Sequence, residues 1–130
     1  MVDQMFGLLA QADPFSASTA FWSEVVGTGV LILLGDGVVA GVLLNRSKAQ
    51  NSGWIVITWA WAMGVLFGVY TSVAVGGLGH LNPAVTIGLW VTDKLPAGVS
   101  GGDAVMLILG EFVGAFIGAI LVYLAYLPHW

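Results

Sequence analysis

The sequence predicts an all-α membrane protein with three transmembrane helices and one re-entrant half-helix. Three observations carry this. Of the 130 residues, 58% are hydrophobic and 8% charged, and mean hydropathy is +0.97. A soluble domain carries about 25% charged residues, so these few charges cannot cover a water-facing surface. Three apolar runs, about 21–44, 54–75 and 104–127, each reach the roughly 20 residues that cross the hydrocarbon of a bilayer. Between the second and third runs, a glycine-rich break leads into Asn82-Pro83 and an apolar run too short to cross.

Residues 1–20 read as a leader on the cytoplasmic or interface side. Met5, Phe6, Leu8 and Leu9 suit either a short amphipathic turn on the membrane surface or a partly ordered terminus. The leader holds Asp3 and Asp13 but no Lys or Arg, whereas a signal peptide starts basic. Residues 21–130 read as one unit. Its first span contains Glu24 and Asp36, and a polar loop with Arg46 and Lys48 follows. The second span carries no charge, and Trp54 and Trp59 suit the membrane interface. Gly76-Gly77-Leu78-Gly79 then breaks the helix. Ala84 to Val91 makes about 12 Å of helix at 1.5 Å per residue, under half the hydrocarbon thickness. Irregular backbone at that depth is tolerated only inside protein or beside a water-filled cavity. Residues 76–91 therefore read as a loop and half-helix that return to their own side. A polar turn with Asp93, Lys94 and Pro96 precedes the last span, which holds Glu111.

Composition also excludes several functions. Arg46, Lys48 and Lys94 are the only basic residues, too few for a nucleic-acid partner. There is no cysteine, hence no disulfide, thiolate nucleophile or Cys-type metal site. His80 has no second ligand nearby in sequence for a metal, and it reads as a structural histidine contributing its backbone carbonyl. His129 reads as an interface residue. No nucleophile–base pair or phosphate loop is present, and Gly35-Asp36-Gly37 is too short a pattern to count. No catalytic residue, metal or cofactor is expected. Glycines recur every fourth residue at Gly37 and Gly41, at Gly64 and Gly68, and at Gly110, Gly114 and Gly118. Such stripes let helix backbones approach closely in lipid.

The central motif is Gly79-His80-Leu81-Asn82-Pro83-Ala84-Val85-Thr86. Pro83 lacks an N–H and fits the first position of a helix, and Asn82 is a favoured N-cap. The Asn82 amide can donate to an oxygen passing down a pore. The carbonyls of Leu78, Gly79 and His80, freed from helical bonding, would form a ladder of acceptors, and Leu81 is counted with them among the pore residues. The positive end of the half-helix dipole would oppose cations at mid-membrane. The alternative for Asn82 is an N-cap in a protein core and nothing more.

His80-Leu81-Asn82-Pro83-Ala84-Val85-Thr86 resembles the first signature loop of the major intrinsic proteins, the aquaporins and glycerol facilitators. Ser23-Glu24-Val25-Val26-Gly27-Thr28-Gly29 resembles the start of that family's first helix, and Gly110-Glu111-Phe112-Val113-Gly114-Ala115-Phe116 its third. The resemblance runs from about residue 22 to the end. It implies an aquaporin-like N-terminal half. The family uses two such loops, one per inverted half, and this chain holds the first, with no second Asn-Pro-Ala.

By the same resemblance, Trp61 matches the aromatic residue lining the filter of glycerol facilitators. An interfacial or lipid-facing Trp is its other reading. Glu24 matches a first-helix glutamate that accepts N–H bonds from the loop and buttresses it. Glu111 stands where many members have glutamine. It is open between pairing with His80 or backbone donors and being protonated. Asp36 is open between lining a vestibule and capping a neighbouring segment. The resemblance further implies a passive channel, not an enzyme, for glycerol, other small neutral solutes and water, in the cell membrane and assembled as tetramers. One half needs a second half to close a pore: another copy, a separate chain or a remainder of the same protein. The alternative is a non-conducting truncated remnant, or a subunit that associates with full-length channels. An unrelated small transporter with inverted-repeat pairing is a third. Arg46 and Lys48 would put the first loop in the cytoplasm by the positive-inside rule, whereas the resemblance puts the N-terminus there.

Overall fold

The computed structural model describes residues 15–129. Met5, Phe6, Leu8 and Leu9 of the leader lie outside the described residues. The elements are α1 (Ala17–Leu43), α2 (Trp54–Ala74), α3 (Pro83–Val91), α4 (Gly101–Ala125) and a final 3-10 turn (Leu127–His129). α1, α2 and α4 are long and apolar enough to cross a membrane, and α3, at nine residues, is not.

Two helices start earlier than their apolar runs suggest, each because of a cap. α1 begins at Ala17 because Ser16 is extended and its Oγ accepts from the Thr19 N–H at 3.1 Å. α4 begins at Gly101 behind a capping box. The Ser100 Oγ accepts from the Asp103 N–H at 3.2 Å, and Asp103 Oδ2 accepts from the Ser100 N–H at 2.8 Å. Such reciprocal bonds satisfy donors that a helix start leaves orphaned.

α1 sits between α2 and α4 and packs on both, while α3 rests on α4. The glycines show how close the backbones come. A Cβ at Gly110 would run into the Phe21 carbonyl and one at Gly114 into that of Val25, and at Gly118 it would lie 2.7 Å from the Gly29 oxygen. Both numberings rise in step, so α1 and α4 run parallel. Against α2 the order reverses. A Cβ at Gly68 would lie 2.8 Å from the Gly27 oxygen, one at Gly64 would lie 3.3 Å from the Leu31 oxygen, and one at Gly35 would lie 2.5 Å from the Trp61 ring. α2 is therefore antiparallel to α1. Without a hydrophobic drive between helices in lipid, contact this close is what holds them. Gly37 and Gly41 behave differently. Gly41 faces the Tyr126 hydroxyl, and Gly37 is open to within 4.0 Å of Val122.

The outer surface is apolar. Trp54, Ile55, Trp59, Phe112 and Phe116 are all mostly exposed, as suits side chains meeting lipid rather than water.

Candidate functional site: a tethered loop beside a groove

α2 ends at Ala74, and Gly76, with φ 86°, turns the chain. Residues 77–81 then follow without regular structure, so their N–H groups need partners other than a helix ladder. Glu24 on α1, fully buried, supplies two of them. Its Oε1 accepts from the His80 N–H at 3.1 Å and its Oε2 from the Leu81 N–H at 2.7 Å. The Ser72 hydroxyl donates to the same Oε1 at 3.2 Å and accepts from the Gly79 N–H at 3.1 Å. Glu24 thus accepts three hydrogen bonds. This is the work of a carboxylate, and bonds to a charged acceptor are the strong ones.

Leu81 has φ 55°, a left-handed conformation that costs a non-glycine residue about 1–3 kcal/mol. Its side chain is 6% exposed. It fills the space that glycine leaves at the α1–α2 crossing, where a Cβ at Gly27 or Gly68 would lie 2.6 or 2.8 Å from its methyl carbons. Gly77 is equally enclosed, because a Cβ there would collide with Ser23 and Ser72.

Asn82 then caps α3. Its Oδ1 accepts from the Ala84 N–H at 2.9 Å, and Pro83 takes the first helical position. Since the Ala84 N–H can only donate, the cap fixes which way the amide faces, and among the described residues Nδ2 meets no hydrogen-bond acceptor. Asn82 is exposed. Among the described residues, no hydrogen bond ends on the carbonyls of Leu78, Gly79 or His80. Gly79, His80, Leu81 and Asn82 border a groove of about 350 Å³ completed by Leu31 of α1, Val65 and Val69 of α2 and Val85 of α3. Asn82 Nδ2 offers donors there, at the positive end of the α3 dipole.

Glu111 is 1% exposed and reaches His80 only through Thr86. The Thr86 hydroxyl lies 2.7 Å from Glu111 Oε1 and 2.8 Å from His80 Nδ1. Trp61, half-buried, stands four residues from Val65, on the row that continues to Val69, with its ring laid over Gly35. Asp36 is apart from this site. It borders an apolar pocket of about 410 Å³ between α1 and α4 with Val39, Ala119 and Tyr123. His129 Nδ1 bonds the Asn45 carbonyl at 2.9 Å. Among the described residues no cluster of His, Cys, Asp and Glu could hold a metal. Sequence reasoning missed Ser72 and Thr86. Their one signal was a hydroxyl in a charge-free apolar stretch.

The family model described as major intrinsic protein matches residues 11–129. The chain is 50% identical to a probable glycerol uptake facilitator protein of Thermotoga maritima, across 86% of this chain and 46% of that protein. It is 46% identical to the glycerol uptake facilitator protein of Bacillus subtilis, across 86% and 39%. It is 48% identical to glycerol uptake facilitator protein 3 of Lactiplantibacillus plantarum, across 82% and 42%. The chain therefore spans less than half the length of these curated relatives. No solved structure matches it. The chain belongs to the major intrinsic protein family, and its architecture is an aquaporin-like half of a multi-pass membrane protein.

Proposed function

We propose that this member of the major intrinsic proteins is half of a passive channel for glycerol, other small neutral solutes and water, and that it closes a pore only with a second half. One observation carries the reading. Asn82, with its Nδ2 group bonded to no described residue, and Gly79 and His80, with carbonyls that accept no hydrogen bond among the described residues, border one groove and offer donors and acceptors to a neutral hydroxylic solute, with the Leu78 carbonyl just before them in the loop. The names of the relatives point to glycerol among such solutes. The positive end of α3 opposes cations, an electrostatic barrier of the kind used in aquaporin-type pores. Transport of this kind needs no covalent step and no catalytic residue.

In this reading residues 21–130 form one half-repeat behind a leader of residues 1–20. Asn82 and the loop carbonyls make half of the constriction, Trp61 is the aromatic plate of the filter, Glu24 anchors the loop, and Glu111 supports it through Thr86. The N-terminus is cytoplasmic in the cell membrane. The second half is another copy, a separate chain or a remainder of the same protein, and the pores assemble as tetramers. The alternative is a non-conducting truncated remnant, or a subunit that associates with full-length channels.

Liposomes containing the 130-residue chain separate the two. Glycerol-dependent swelling above that of empty liposomes supports pairing of copies into pores. Swelling equal to empty liposomes removes pairing of copies, and leaves a half that needs a different second half or a non-conducting remnant or subunit.

A further inference from the structure

Two carboxyls are buried beside the loop, and their partners differ. Glu24 receives three donors. Among the described residues Glu111 has one hydrogen-bond partner, the Thr86 hydroxyl, and its Oε2 is buried with none. The backbone N–H of Asn82 lies near the same carboxyl. α1 and α4 touch at this level, where a Cβ at Gly110 would lie 3.1 Å from the Glu24 Cβ. α2 and α3 bring no charge. Two close carboxylates in an apolar interior cannot both stay ionised cheaply, and the one with fewer donors takes the proton.

We propose that Glu111 is held as the neutral acid and, through Thr86, fixes the tautomer of His80. Hydrogen counting makes the link directional. A threonine hydroxyl has a single hydrogen. With the Glu111 proton donated to Thr86 Oγ1, that hydrogen goes to His80 Nδ1, and the histidine carries its own on Nε2. With Glu111 ionised, every bond reverses and Nδ1 carries the hydrogen. In the proposed state His80 becomes imidazolium only if Thr86 turns its hydrogen away from Nδ1 to another acceptor. The loop beside Asn82 thus gains no cation, and the ring has one orientation. Glu111 is a positioning residue, acting on the loop through Thr86 and His80. Its consequence for solutes rests on the channel reading, but its protonation does not.

The test uses the whole chain in lipid nanodiscs at neutral pH. With histidine labelled by 15N, and His129→Gln used to assign the two histidines, His80 should show a protonated Nε2 and a bare Nδ1. Infrared difference spectra between the native chain and Glu111→Gln should show loss of one protonated-carboxyl carbonyl band. Glu111→Gln, whose amide still donates to Thr86, should keep the His80 tautomer, and Thr86→Val should lose it. A protonated Nδ1 in the native chain, or no carboxyl band lost in Glu111→Gln, overturns the proposal. The native-chain histidine spectrum needs neither the Glu111 nor the Thr86 variant to fold, and His129→Gln, outside the loop, serves only to assign it. Liposomes without glycerol flux would leave both spectra as expected, so failure of the channel reading is distinguishable.

Discussion

Replacing Glu24 by glutamine tests how the loop is held. Glu24 accepts from the His80 and Leu81 N–H groups at 3.1 and 2.7 Å through different oxygens. Glutamine keeps one oxygen and turns an N–H₂ group toward the other backbone donor. One buried N–H then loses its acceptor, at about 1–3 kcal/mol, and the remaining bond loses its charge assistance. The anchor must also hold Leu81 at φ 55°, a strain of about 1–3 kcal/mol that pulls toward release. A net local loss of about 2–3 kcal/mol is the outcome, and at a factor of ten per 1.4 kcal/mol this is roughly 30- to 150-fold. Removing a buried charge relieves some desolvation, so global stability is a poor readout and a local one is needed. Backbone amide hydrogen exchange, read by mass spectrometry in nanodiscs, supplies it. His80 and Leu81 should exchange faster by that factor, while the centres of α1 and α4 keep native rates. Native exchange at His80 and Leu81 in a folded Glu24→Gln chain would refute the argument.

Gly68→Ala places a methyl 2.8 Å from both the Gly27 oxygen and a Leu81 methyl carbon, and overpacking of this kind costs about 1–3 kcal/mol. Thermal unfolding in detergent should show a lower midpoint, whereas Gly88→Ala, with nothing within 4 Å, should leave it unchanged or raise it. In a conducting assembly, Trp61→Phe should shift the glycerol-to-water permeability ratio in stopped-flow measurements, and an unchanged ratio would remove Trp61 from the filter.

What could be read from the chain was whatever depends on local chemistry or gross hydropathy. Asn82 and Pro83 announce the start of α3 because an N-cap oxygen and a missing N–H have meaning at one position of a helix. The three spans follow from length and apolarity. The early starts of α1 and α4 did not, because Ser16 and Ser100 act through single hydrogen bonds that hydropathy does not see. Leu81 gave no hint of a left-handed backbone, since leucine avoids that region. Only the Glu24 bond and the space at Gly27 and Gly68 make it tolerable. Gly27 and Gly35 lie outside the four-residue series yet meet α2 most closely, because an antiparallel crossing is set by the partner helix. Ser72 and Thr86 were invisible for a similar reason. A hydroxyl acquires a role only when a donor 7 residues or a carboxyl 25 residues away is folded beside it.

The tether of the loop also has a direction in time. Glu24, Ser23, Gly27, Gly68 and Ser72, which receive Gly77, Gly79, His80 and Leu81, all precede residue 76 in the chain. As synthesis proceeds from the N-terminus, α1 and α2 can pair and shape this receptacle before the loop emerges to occupy it. Glu111, which closes on Thr86 from α4, arrives last and acts as a latch on a segment already seated. For the loop the order of the sequence is thus an order of assembly, whereas α3 waits for α4 to rest on.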